Sequence, residues 1–83
     1  MPIIGKLYRI EMVASLYDRI YKDNIVKSYK HIGIVEKDTL CVVLEINESE
    51  EWHTKNYIAR ILTSNGVTGW IILSCANPAL VLV

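Results

Sequence analysis

The sequence predicts an all-β fold: a small five-stranded barrel with a long first loop and a short helical turn before its last strand. Three stretches carry that expectation. Asn65-Gly66 is a dipeptide favoured where both central residues of a two-residue hairpin loop need positive φ, and its flanks, Tyr57 to Thr63 and Val67 to Leu73, are rich in β-branched and aromatic residues. Thr39 to Ile46 is apolar on both alternating faces, with Leu40, Val42, Leu44 and Ile46 on one and Cys41, Val43 and Glu45 on the other, as in a central strand covered on both sides. The apolar run from Trp70 to Val83 is broken by Asn77-Pro78, which divides it into strand, turn and strand.

Taken in order, the remaining elements follow from period and punctuation. From Lys6 to Ala14 the residues Tyr8, Ile10, Met12 and Ala14 are uniformly apolar and alternate with Leu7, Arg9, Glu11 and Val13. This predicts a half-buried strand with Tyr8, Ile10 and Met12 inward. From Ser15 to Lys30 polar and aromatic residues mix without a period, and Asp23-Asn24 signals a turn, so the stretch is expected to be a long loop between strands. A helix from Val13 to Lys22 is its rival, on the spacing of Val13, Leu16, Tyr17 and Ile20. Nothing after Asn24 extends that helix, and tyrosine is a mediocre helix former. Ile32 to Asp38 reads as a short strand running into a charged turn, and Asn47 to Lys55 as a loop carrying acids, Trp52 and His53. Gly69, just before Trp70, lacks a side chain where a neighbouring group can approach closely. Ser74 to Pro78 should form the helical turn and Leu80 to Val83 the closing strand, closure removing the exposed edges of so apolar a sheet.

Eighty-three residues make one domain, and at 52% hydrophobic the chain is far from the composition of a disordered one. The formal net charge is zero but uneven. Residues 1 to 35 hold six Lys and Arg against three acids, whereas residues 36 to 51 hold Glu36, Asp38, Glu45, Glu48, Glu50 and Glu51 against Lys37 alone. The fold should therefore be dipolar, although Glu48 to Glu51 also serve simply to keep a loop in water. Cys41 and Cys75 lie in apolar runs and read as small buried hydrophobes. Lys6, Arg9 and Glu11 interrupt the apolar residues near the start, unlike a secretory signal, so a reducing, cytoplasmic setting is expected. The 14-residue run ending at Val83 is shorter than the roughly 20 residues of a spanning helix, and no membrane association is expected.

Ala14-Ser15-Leu16-Tyr17-Asp18, Tyr57-Ile58-Ala59-Arg60 and Thr68-Gly69-Trp70-Ile71, in that order and spacing, resemble the Src homology 3 fold in its bacterial form. The resemblance spans about Leu7 to Val83. It implies a five-stranded barrel with Ser15 to Lys30 as the long ligand-facing loop and the acidic Asn47 to Lys55 loop opposite. In the proline-ligand subclass of that family aromatic rings line the groove, and here only Tyr17 retains one. Arg19 replaces the second tyrosine of the first motif, Asn56 stands at the groove tryptophan, Ile72 replaces the proline, and no tyrosine follows in Ser74-Cys75-Ala76. A polyproline ligand depends on such stacked rings, so the resemblance implies one only if Trp52 supplies the missing surface.

The chemistry-bearing residues point to binding. His31, Cys41, His53 and Cys75 are 10 to 22 residues apart with no paired ligand spacing, which argues against a metal site. No cysteine or serine has a placed base, no glycine-rich loop precedes a lysine and a helix, and no cofactor is expected; the chain reads as a non-enzyme. Tyr17, Arg19, Tyr21, Lys22, Lys27, Tyr29 and Lys30 interleave rings and positive charges on the long loop. The candidate partner-binding residues are Tyr17, Arg19, Tyr21, Lys22, Tyr29, Trp52 and Tyr57. They suit a protein partner, occupied by a free-standing adaptor or inhibitor. The same pattern suits stacked bases and phosphates in single-stranded or structured nucleic acid, less well because the net charge is zero. Cell-wall peptide is a third reading, implied by the bacterial resemblance. The plainer alternative is that tyrosines cover the barrel end and lysines solvate the loop. Leu80-Val81-Leu82-Val83 lacks alternation, and a homodimer would cover its second apolar face.

Overall fold

The computed structural model describes residues 2–22, 25–49, 56–73 and 80–83, with the backbone alone for 19–22, 25–29, 48, 49 and 56. Alternation begins at β1, Leu7–Ile10, where Tyr8 and Ile10 are buried and Leu7 and Arg9 exposed. The strands that follow are β2 (Ala14–Lys22), β3 (Ile25–Val35), β4 (Leu40–Ser49), β5 (Asn56–Thr63), β6 (Thr68–Leu73) and β7 (Leu80–Leu82). They form one antiparallel sheet in the order β3-β2-β6-β5-β4-β1-β7, and the described residues contain no helix.

The all-β expectation holds, but the closed five-stranded barrel does not: seven strands lie in an open sheet whose edges are β3 and β7. The difference originates in the stretch expected to be a long loop. Residues 14–22 and 25–35 pair with each other as a hairpin, and β2 then takes the free edge of β6 through the pair Tyr17↔Trp70. That contact occupies the edge a closing strand would need. The rival helix over Val13 to Lys22 is likewise absent, because Ala14–Lys22 is extended. Two register shifts, between Leu16 and Tyr17 and between Ile20 and Tyr21, leave Ile32 and Lys27 as extra residues on β3. Each bulge inverts the inward parity of the strand, which erases the period that would otherwise mark it. The helical turn expected at Ser74 to Pro78 lies outside the described residues; of the acidic loop expected from Asn47 to Lys55, the first three residues instead extend β4, where they pair with β5, and the rest lies outside the described residues.

One core cluster joins strands from both ends of the sheet: Tyr8, Ile10, Leu16, Val35, Cys41, Val43, Ala59, Ile61, Ile71, Leu73 and Leu80. Met12, expected inward, is exposed, because β1 ends at Ile10, whose amide bonds the Thr39 carbonyl (2.9 Å) and whose carbonyl accepts from the Asp38 amide (2.8 Å). β4 is interior, as expected, between β5 and β1, but it is not covered on both faces: Cys41 and Val43 are buried, whereas Leu40 is exposed and Val42 half-buried. A register shift between Val43 and Glu45 skips Leu44, so the core face passes from Cys41 and Val43 to Ile46. In β5 and β6, Ile58 and Trp70 are buried at positions of opposite parity to the core residues Ala59 and Ile71, so the middle of this hairpin is covered on both faces.

The β5–β6 hairpin lies where expected but turns differently. Gly66 alone has positive φ (83°) in the loop, and its amide donates to the Thr63 carbonyl at 3.0 Å while the Thr63 amide donates to the Val67 carbonyl at 2.8 Å. This is a three-residue loop, Ser64-Asn65-Gly66, ended by a glycine bulge, not a two-residue loop with both central φ positive. Thr63 selects it. Its buried hydroxyl accepts from the Val67 amide (3.1 Å) and lies against Asn65 Oδ1 and the Val67 carbonyl (3.2 Å), either of which can take its single proton.

Candidate functional site

The candidate residues divide along the chain's two long hairpins. Tyr17 is half-buried in β2, opposite Trp70 on one side and His31 on the other. The Tyr17 and His31 rings meet edge to face, centroids 5.6 Å apart and planes at 76°. Arg19 and Tyr29 lie directly opposite each other in the β2–β3 register, and Tyr21 and Lys22 continue β2 opposite Val26 and Ile25. The hairpin thus brings Tyr17, Arg19, Tyr21, Lys22 and Tyr29 together as neighbouring backbone positions.

Tyr57 does not join them. It pairs with Leu73 and packs against the core, three residues along β6 from the Trp70 position that meets Tyr17, about 10 Å at the rise of a strand. Its strand has a neighbour on each edge, so Tyr57 reads as a core-margin ring and not as part of a surface shared with the hairpin. Trp52 lies outside the described residues.

Beside the hairpin is a shallow depression of about 250 Å³ lined by Asp18, Glu45, Arg60, Thr68, Gly69 and Trp70. Arg60 spans it, with Nη2 donating to Glu45 Oε1 at 3.1 Å, while its buried Nε has no hydrogen-bond partner among the described residues. Both side chains of that ion pair are nearly half exposed, so it orients the guanidinium more than it stabilises the fold. Gly69 forms the floor. A Cβ there would lie 2.6 Å from Leu16 Cγ, so only glycine lets β2 settle across β6 at this point. The sequence signalled Gly69 as a close approach; the depression itself was not legible, since Asp18, Glu45 and Arg60 come from three strands.

A second surface feature follows from parity. Val83, Leu7, Val42 and Leu62 fall in one row on the face away from the core, with Val81 and Leu40 flanking Arg9 in the next row. Leu7, Leu62 and Val83 are exposed and Val42 half-buried. The row is an apolar strip beside the short β7 edge. Sequence reading found only its last segment, because the other members are separated by up to 55 positions in the chain (7 to 62).

Catalytic features are sparse on these surfaces. Among the described residues no three His, Cys, Asp or Glu side chains gather as metal ligands, and no helix is long and apolar enough to cross a membrane. Cys41 is a free thiol buried in the core, and burial raises its pKa above the ordinary 9.0, the reverse of an activated nucleophile. Searches against family models, curated proteins and solved structures found no match to the chain.

Proposed function

We propose that this chain is a stand-alone protein-binding module, Src homology 3-like in its motifs, that acts as an adaptor or inhibitor by occupying a partner protein's surface. The observation that carries the reading is the β2–β3 hairpin. Its strands are nine and eleven residues long, the longest span about 35 Å at the rise of a strand, and among the residues whose side chains are described only Leu16 and Val35 of the two enter the core cluster, with Ala14 packed against it. A structural hairpin would be expected to bury an alternating face along its length. Here Ser15, Asp18, Lys30, His31, Ile32 and Ile34 face solvent, with Tyr17 and its ring partner at the junction with the sheet. An aromatic ring with exposed polar and apolar side chains around it suits recognition of a protein surface.

The test is affinity recovery of partners from a cell lysate on the immobilised chain, in parallel with Tyr17→Ala. The reading expects proteins retained by the native chain and lost from the variant. Absence of any specifically retained protein, with labelled oligonucleotides bound at low salt instead, would replace it with nucleic-acid binding.

A further inference from the structure

The two edges of the sheet differ in a way that bears on what can dock. β7 is three residues long, and an edge that short offers few backbone groups. β3 is eleven residues long, and among the described residues it pairs only with β2, which leaves its other edge open. On such an edge alternate residues turn both N–H and C=O outward, a template that an added strand can complete.

Three further observations concern the segment Lys30-His31-Ile32-Gly33-Ile34. Its side chains at Lys30, His31, Ile32 and Ile34 are all exposed, Ile34 at 56%. At Gly33 the space where a side chain would lie is open, with no described atom within 4 Å, so no side chain crowds the face of the sheet beside that edge. The hairpin is also basic: β2 and β3 together hold Arg19, Lys22, Lys27 and Lys30 against Asp18. Like charges across a new strand pair are unfavourable, so this edge disfavours a second copy of itself and favours carboxylates.

From these we propose that the outer edge of β3 takes up an extended acidic segment of a partner protein as an added strand, with aliphatic residues of that segment set against Ile32 and Ile34 and carboxylates against Lys30. Main-chain hydrogen bonds supply the affinity in this mode, and alternate side chains supply the selectivity. The proposal rests on the protein-binding reading and names the partner's chemistry.

The experiment titrates three labelled peptides against the full chain by fluorescence anisotropy: one alternating glutamate and valine, its lysine-valine counterpart, and the glutamate-valine peptide with alternate backbone amides methylated. Hydrogen exchange is then read on the complex. The glutamate-valine peptide should bind, the other two at least tenfold more weakly, with new amide protection confined to β3. Lys30→Glu should weaken binding several-fold. Ile32→Pro should weaken it similarly at little cost to the fold, because Ile32 is the bulged residue outside the β2 register. Absence of binding, equal binding of the methylated peptide, or protection outside β3 overturns the proposal. So does β3 protection that grows with protein concentration in the absence of peptide, which would put a second copy on the edge. If the chain retains a partner from lysate but exchange on that complex spares β3, the edge proposal fails while the protein-binding reading stands.

Discussion

Gly69 and Tyr17 both sit where β2 crosses β6, and they should respond to substitution in opposite ways. Leu16 is 3% exposed and cannot swing away from a new group 2.6 Å from its Cγ, so Gly69→Val should destabilise by about 1 to 3 kcal/mol and lower the melting temperature. A neutral Gly69→Val would mean that β2 does not lie on β6. Tyr17 is outside the core cluster, and its described ring contact is with His31. Tyr17→Ala should therefore cost about 1 kcal/mol, near the worth of an aromatic pair, and not the 3 to 5 kcal/mol of a core ring. Loss of partner retention at nearly unchanged melting temperature is the combination expected. Cys41 makes a third test. Its thiol pKa is raised on folding by burial, so below the ordinary 9.0 both states keep the proton and the fold is unaffected. As pH rises past 9.0 the unfolded chain loses the proton first, and stability should fall until the folded pKa is passed. Urea melts of the native chain and Cys41→Ala across pH 8 to 11 check this: the native chain should lose stability with pH more steeply than the variant.

At the scale of elements, the β5–β6 loop is held by one hydroxyl and one glycine. Thr63→Val keeps the shape but leaves the Val67 amide without its side-chain acceptor, and should cost about 1 to 3 kcal/mol if that amide stays dry. Gly66→Ala should cost about 1 kcal/mol, because φ is 83° there and a Cβ has open space but an unfavourable backbone. Chemical denaturation of both variants measures these costs, and a larger loss from Gly66→Ala than from Thr63→Val would reverse the ranking. Asn65-Gly66 announced the hairpin through composition, but the number of loop residues depended on Thr63, whose hydroxyl had no visible partner until Val67 was folded beside it. The β2–β3 hairpin was less legible still. Bulges at Lys27 and Ile32 scrambled the two-residue period that identifies strands.

Taken whole, the molecule combines zero net charge with an apolar row, largely exposed, that runs across β5, β4 and β1 to the residue after β7. The sequence isoelectric point is about 6.7, where electrostatic repulsion between copies is weakest. Self-association through the Val83, Leu7, Val42 and Leu62 row should be strongest near that pH, and sedimentation at micromolar concentration should show it weaken at pH 9. Leu62→Lys, at a 38% exposed position, should abolish it with little change in stability. A monomer at every pH would sink the second copy as the cover for this face.

The sequence by itself determined that the chain is all-β, that β4 is interior, that a hairpin runs from Tyr57 to Leu73, and that Gly69 meets a close neighbour. Each of these rests on local chemistry: side-chain alternation, β-branched content, and glycine where a Cβ is costly. Only the tertiary structure decided that the sheet stays open, that Ser15 to Lys30 belongs to a paired hairpin, and that Arg60, Glu45 and Asp18 share a depression while Tyr57 lies apart from Tyr17. Those outcomes depend on which strand reaches the free edge of β6, and hydrogen-bonding edges are alike to any extended backbone. The choice is made by packing between residues far apart in the chain, Leu16 against Gly69 above all, and no window of neighbouring residues contains it.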